Sequence, residues 1–406
     1  MATAAKSTGT RAPWLEESWL RAQVEGLCAI DRPSASAGER EAAEWLIARL
    51  SEHDAPGRIE TEDAHGTYWW PLGLTSAAGA LAGVAALRGR RAIGAAVGAV
   101  AAAAAADDTP PYRKRLRRLL PRREASQVVA EVGPADAERT LVLLAHYDAP
   151  RSGLLFDPET PKRLERLMPG LFARLDTSPP LMLPVVGGPA LAAAGAITGK
   201  RWLSWLGTIL SAGSAATFAD IGSRATVPGA NDNATAVAAL IAIARALAER
   251  PTEKLRVMLV STSEEATCEG MQAFAARHFA ELPRDGTFFL CLEILGSPHL
   301  TVLRGEGMLR VREYPQQSLT LLDGLAARLG LRLVPNLRLR NATDAVFPLA
   351  AGYQCAALCS CTELKQPANY HWPTDVPENV DYATLADAIR LTEAVVRRLD
   401  ERWLDY

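Results

Sequence analysis

Residues 255–265 read Leu-Arg-Val-Met-Leu-Val-Ser-Thr-Ser-Glu-Glu. The first seven fit a strand buried in a sheet. The two carboxylates that follow are hard to explain structurally, because adjacent like charges repel and a helix start needs only one. A division of labour explains both: Glu265 or Glu264 binds a metal ion while the other accepts a proton from water. Outward from this stretch, strands are predicted at 58–61, 128–132, 140–145, 287–292 and 354–359. Helices are predicted at 16–52, 234–248, 318–329 and 382–399, with a cap and acidic first turn at 36–41. Strands alternating with helices predict an α/β protein, a three-layer αβα sandwich around a mostly parallel mixed sheet. Ligand sites in such sheets lie at the carboxyl ends of strands.

The strand ends carry one chemistry. After Leu-Val-Leu-Leu-Ala come His146, Tyr147 and Asp148, a histidine with a carboxylate placed to fix its ring. Asp232, in Gly-Ala-Asn-Asp-Asn-Ala at 229–234, reads either as a helix cap or as a carboxylate bridging two metal ions. Asn233 also offers a cap. Glu293 ends the next apolar strand. His371 follows the last one, with Asp375 as a candidate partner for its ring. Singly, each has a bland reading as a loop or cap residue. Together they form a set of nitrogen and hard-oxygen donors without thiolate, which suits two Zn²⁺ ions sharing a carboxylate and a water.

The 406 residues are 49% hydrophobic and 22% charged, and the formal net charge of -2 gives no argument for nucleic acid. The six cysteines form no CxxC pair and read as reduced core thiols, although a Cys355–Cys359 or Cys355–Cys361 bridge stays open. Residues 1–13 read as a disordered tail, with no signal peptide. Two uncharged stretches, 72–87 and 92–106, flank Arg-Gly-Arg-Arg and predict one helical hairpin. Residues 181–198 and 202–219, around Gly-Lys-Arg, predict a second, with kinks at Pro184 and Pro189. Buried helices, a homodimer surface or membrane-embedded hairpins all fit, and the pairing of two such hairpins with basic turns favours membrane lipid. The expected division is catalytic residues 14–70, hairpin 71–108, catalytic residues 109–178 with a basic segment, hairpin 179–221, and catalytic residues 222–406. Both hairpins leave and rejoin the catalytic part on one side. That side carries Arg113, Lys114, Arg115, Arg117, Arg118, Arg122 and Arg123, with Lys162, Arg163 and Arg166, which predicts a membrane protein with its catalytic domain on the cytoplasmic face.

The ordered motifs His-x-Asp, Gly-Ala-Asn-Asp-Asn-Ala, Glu-Glu, Glu-Ile-Leu-Gly and Tyr-His-x-Pro-x-Asp resemble the di-zinc aminopeptidase family of clan MH, whose relatives include glutamate carboxypeptidase II and glutaminyl cyclase. The resemblance covers residues 16–58, 126–156 and 223 onward, and it implies a zinc-dependent exopeptidase acting on peptides. By it, His146 and Glu293 hold one zinc, Glu265 and His371 the other, and Asp232 bridges them. Glu264 is the general base and Asp148 orients His146. Asp344 matches a family stretch that supports the site. The chain departs from the family at Glu293, where aspartate is commoner, and at Ala236, where glycine is usual. It also lacks a clear match for the tyrosine that polarises the substrate carbonyl, leaving Asn341 and Tyr370 as candidates, and it carries the two hairpins as inserts. Alternatives are a glutaminyl cyclase-like acyltransferase, a carboxypeptidase or amidohydrolase, and a peptidase-like binding domain without catalysis.

Overall fold

The computed structural model describes residues 12–404. Of the tail expected at 1–13, only Ala12 and Pro13 are described, and Pro13 opens a single 3-10 turn; the rest lies outside the described residues. The chain runs α1 (Glu17–Cys28), α2 (Ala37–Ser51), β1 (Gly57–Ala64), α3 (Trp69–Leu87), α4 (Arg91–Asp107), β2 (Arg123–Val132) and β3 (Arg139–His146). Next come α5 (Glu159–Leu167), α6 (Met182–Thr198), α7 (Arg201–Ser223), α8 (Thr235–Glu249), β4 (Leu255–Thr262), α9 (Glu269–His278) and β5 (Thr287–Glu293). The remainder holds β6 (His299–Val302), β7 (Gly305–Glu306), β8 (Arg312–Glu313), α10 (Gln316–Arg328), β9 (Arg338–Leu339), α11 (Val346–Ala351), β10 (Gln354–Cys361) and α12 (Tyr382–Glu401).

Seven strands make one sheet in the order β1-β2-β4-β3-β5-β10-β6. The central four, β4, β3, β5 and β10, are parallel. β1, β2 and β6 run antiparallel to their neighbours at the two edges. α8 packs against α1 and α12, and α12 against α10, while α9 packs against α11, which gives the three layers. α8 is buried from Thr235 to Ala244 without a break, so its sequence shows no polar face.

The helical stretch expected at 16–52 is two helices. Ser36 caps the second by accepting the Glu39 N–H at 3.1 Å. The break between them carries Arg32, a fully buried guanidinium that donates to the carbonyls of Tyr147 (2.5 Å), Pro228 (2.7 Å) and Gly229 (2.9 Å). β6, the three two-residue strands, α5, α9 and α11 were not foreseen. All six cysteines are free, so neither bridge near Cys355 forms.

The two apolar hairpins are α3–α4 and α6–α7, and they come together as one four-helix bundle in which α3 meets α4, α6 and α7. Pro189 lies within α6 and Pro184 in its first turn, where a missing N–H costs no helical bond, and the helix runs through both. The bundle interior is built of small residues, and backbones approach closely. A Cβ on Gly207 would stand 2.4 Å from the backbone nitrogen of Ala192. The bundle root has its own apolar core of Leu72, Ala105, Met182, Val185, Phe218 and Ile221, with Tyr68, Trp69, Phe156 and Met308 packed on it.

A buried guanidinium fastens this root to the sheet. Arg117 makes a two-pronged pair with Asp108 at the end of α4, both contacts 2.8 Å. It also donates to the Ala266 carbonyl and to Oγ1 of Thr267, both at 2.6 Å. The basic stretch 112–123 is therefore not wholly a solvent-facing one: Arg117 and Lys114 point inward, at 0% and 4% exposure.

Candidate metal centre

The sheet order explains why the strand-end residues meet. β4, β3 and β5 lie side by side and parallel, so their carboxyl ends share one edge. His146 is the last residue of β3, Glu293 the last of β5, and Glu264 and Glu265 follow β4. Asp232 enters from the loop before α8, and His371 from the loop after β10.

Nε2 of His146 lies 3.3 Å from Oε1 of Glu293, 3.5 Å from Oδ1 of Asp232 and 3.8 Å from Oε2 of Glu264. Nε2 of His371 lies 3.2 Å from Oδ2 of Asp232 and 3.5 Å from Oε2 of Glu265. The two oxygens of Asp232 thus face different histidines. His146, Asp232 and Glu265 offer ligand atoms within 4.8 Å of one another, and so do His146, Glu264 and Glu293. The structure brings all six expected side chains into one cluster.

Asp148 is a hub with more roles than expected. Oδ1 lies 3.3 Å from Nδ1 of His146 and accepts the Glu264 N–H at 2.9 Å. Oδ2 accepts the Glu265 N–H at 3.0 Å and the Ser34 hydroxyl at 2.6 Å. One fully buried carboxylate therefore orients the histidine and sets the backbone of the paired glutamates. Asp344 supports the same loop through a hydrogen bond from the Thr262 hydroxyl.

Three readings are corrected. Asp375 does not serve His371; its carboxylate accepts the N–H groups of Asn231 (2.7 Å) and Asp232 (3.1 Å), holding the loop that presents Asp232. Asn233 is not a helix cap. Its amide donates to the carbonyls of His146 and Leu292, while its oxygen accepts the Ile294 N–H at 2.8 Å, tying three strand-end loops together. Nor does Asp232 cap α8, which has no side-chain cap.

The electrostatics are those of crowded acids. Burial, and then the charge of Glu293, push Glu264 well above the usual carboxylate range. Burial and Asp232 do the same to Glu265. Burial alone would depress His146, but Glu293 and Glu264 beside it raise it well above its ordinary value. Both Asp232 oxygens, Oε2 of Glu264 and Nδ1 of His371 are buried without a hydrogen-bond partner. Orphaned buried acceptors amid repelling carboxylates fit a cation, and imidazole with carboxylate suits zinc.

The carbonyl-donor candidates turn out to be partners of each other. The Asn341 amide donates to the Tyr370 hydroxyl at 3.3 Å, and the Tyr370 ring stacks on His371 at 3.9 Å between centroids. Phe156 packs against both rings, 4.5 Å from His371 and 5.5 Å from Tyr370 between centroids. Sequence reasoning missed Tyr68, at the foot of α3, whose hydroxyl is buried without a partner. Its ring packs on Phe218 of α7 at 6.2 Å. Burial, and then the charge of Glu265, hold this phenol well above its ordinary value, so it stays protonated. The order of motifs held no signal for it, because it lies outside all five, just before α3.

The sequence profile described as peptidase family M28 matches residues 217–396. No curated protein matches the chain in sequence. Among solved structures, a glutaminyl cyclase of Tannerella forsythia aligns with TM-score 0.55 at 14% identity, over 95% of this chain and 99% of that one. A leucine aminopeptidase precursor of Bacteroides thetaiotaomicron aligns with TM-score 0.54 at 12% identity, over 95% and 97%. A Zn-dependent exopeptidase of Parabacteroides distasonis aligns with TM-score 0.53 at 13% identity, over 96% and 98%. At these identities the structures speak for the fold. The resemblance carried by the five motifs is thus met from two sides: the second part of the chain is similar to peptidase family M28, and its fold is that of zinc-dependent exopeptidases and glutaminyl cyclases.

Proposed function

We propose that this chain is a di-zinc aminopeptidase. The reading rests on Asp232, whose two oxygens face His146 at 3.5 Å and His371 at 3.2 Å and have no hydrogen-bond donor. A carboxylate so placed suits a bridge between two cations. Glu293 with His146 would complete one site, and Glu265 with His371 the other. Zinc, when bound, supplies a Lewis acid for the scissile carbonyl and lowers the pKa of water.

The remaining steps fall to the chain's own groups. Glu264 takes the proton of the attacking water and delivers it to the leaving amine; its backbone is held by Asp148, so its carboxyl needs no search for position. Tyr68 donates its unpartnered hydroxyl to the substrate carbonyl oxygen, where negative charge develops. The solved glutaminyl cyclases of similar fold make cyclisation of N-terminal glutamine the competing reaction.

The test is metal content together with turnover of aminoacyl-anilides and of peptides with N-terminal glutamine. Two zinc ions per chain and anilide hydrolysis are expected. Glu264→Gln should keep both ions and lose about 10²–10⁴-fold in turnover. A single zinc with cyclisation of glutamine would overturn the aminopeptidase reading. Full activity in Glu264→Gln would overturn the assignment of the base.

A further inference from the structure

The four-helix bundle is built inside out. Above the apolar core at its root, its contacts are mostly glycine, alanine and serine, while large side chains point away: Leu81 on α3, Val100 on α4, Ile197 on α6 and Ile209 on α7 are 61–70% exposed. A helix of a water-soluble bundle turns its apolar stripe inward and its polar face out. Here α3 and α6 carry no charged residue, and α4 and α7 carry charge only in their first turn or near their ends. Small residues at helix contacts with large apolar ones outside is how helices pack in lipid. Exposure on all four helices also argues against a second copy as the cover, since a twofold partner covers one face.

The ends of the bundle are marked. At the tip stand exposed Arg88, Arg90, Arg91, Lys200 and Arg201, with Trp202 beside them and Trp205 a turn below. The Arg91 guanidinium donates to the last carbonyls of α6, at 2.8 Å to Ala196 and 2.7 Å to Ile197. At the root stands Trp70, 59% exposed. From Trp70 to Arg88 along α3 is about 27 Å at ~1.5 Å per residue, against a hydrocarbon core of ~30 Å. By length and composition α3 qualifies as a membrane span, with mean hydropathy 1.4 over its apolar window.

The root also carries a collar that contributes nothing to the core. α5 has no buried residue; Leu164, Leu167 and Met168 are exposed beside Lys162, Arg163 and Arg166. The chain just before α5 is pinned to the foot of α7, where the Leu154 N–H donates to Asp220 at 2.7 Å. Across the root, Leu119 is 81% exposed next to Arg118. Exposed leucine interleaved with arginine and lysine is the pattern of a segment lying in a lipid headgroup layer.

We propose that the bundle is embedded as a unit in a lipid bilayer, and that α5 and the 112–123 segment rest on an anionic leaflet, holding the metal centre at the membrane surface. The inference stands whether the centre hydrolyses or cyclises peptides. The full-length chain should stay in the membrane pellet through an alkaline carbonate wash and leave it only with detergent. In nanodiscs, a polarity-sensitive fluorophore on Leu167→Cys should report an apolar setting when phosphatidylglycerol is present. It should report a wetter one in phosphatidylcholine alone, or after K162E, R163E and R166E. Each basic residue near such a surface contributes about fivefold in binding, so three should change collar docking by about 10²-fold. The charge-reversed chain should keep wild-type turnover of a soluble anilide, showing that it folds. Release by carbonate as a discrete oligomer would overturn the membrane reading. A fluorophore in water under every lipid condition would overturn the collar.

Discussion

In Arg117→Met the guanidinium joining the bundle root to the catalytic loop is replaced by a side chain of similar reach without donors. Four hydrogen bonds go: two to Asp108 at 2.8 Å and one each to Ala266 and Thr267 at 2.6 Å. Glu269, 3.2 Å away, loses a cation as well. Asp108 is only 1% exposed, so its charge is left buried and unpaired. Breaking a buried pair from one side costs about 3–5 kcal/mol, most of it the stranded partner. Replacing both members by apolar groups removes that penalty, so Arg117→Met with Asp108→Leu should recover more than half of the loss. Urea unfolding followed by tryptophan fluorescence, on the two single variants and the double one, measures the coupling directly. Ala266 adjoins Glu265, so the same change loosens the glutamate pair, and turnover should fall by about 10–10²-fold. A loss under about 1 kcal/mol with full turnover, or strictly additive single effects, would refute the clamp.

Asp375→Asn keeps one acceptor for two backbone N–H groups, so one is orphaned at about 1–3 kcal/mol. Zinc affinity, measured by competition with a chelator, should fall about 10–100-fold, as for other groups that orient a ligand; unchanged affinity would mean that Asp375 does not position Asp232. Burial, and then Arg117 beside it, lower Lys114 from 10.5 to about 8. The unfolded chain therefore binds more protons between about pH 8 and pH 10.5, and stability rises with pH across that window. Lys114→Met should flatten that rise in urea melts, and a slope that survives the substitution would assign it to another group. At the bundle root, Arg113, Arg115, Arg118, Arg122, Arg123, Lys162, Arg163 and Arg166 are exposed, against five basic residues at the tip, so the root side is expected to face the cytoplasm. A membrane-impermeant maleimide should then reach Gly89→Cys from outside intact cells, and protection there with labelling only after lysis would reverse the orientation.

The metal-binding candidates were legible because sheet topology does the assembling. Once β3, β4 and β5 are parallel neighbours, any His, Asp or Glu at their ends must meet, and 146, 264, 265 and 293 needed only strand boundaries. The hairpins were legible from composition, since uncharged alanine and glycine runs have few other uses. What could not be read were contacts between distant polar groups. Arg32 bonds to a carbonyl 115 positions away, and Arg117 to one 149 away. Nothing local distinguishes these arginines from solvated ones, and Arg117 sits in a run that looks wholly exposed. Asp375 was paired with its sequence neighbour His371, whereas its backbone partners lie 143 and 144 positions earlier. α5 was missed because its face is not buried against the protein.

The position of β3 in the sheet bears on how the chain is made. Its two neighbours, β4 and β5, are both synthesised after it, and the four bundle helices are complete before either. At ~5–20 residues per second, β3 waits roughly 5–20 s for its first partner. During that time an apolar strand stands with both edges open, a hazard that lasts until β4 arrives. The hairpins, with contacts close in sequence, assemble in far less time. The nascent chain is thus a finished bundle tethered to an unfinished sheet, and the candidate metal centre is complete only when the His371 loop has left the ribosome.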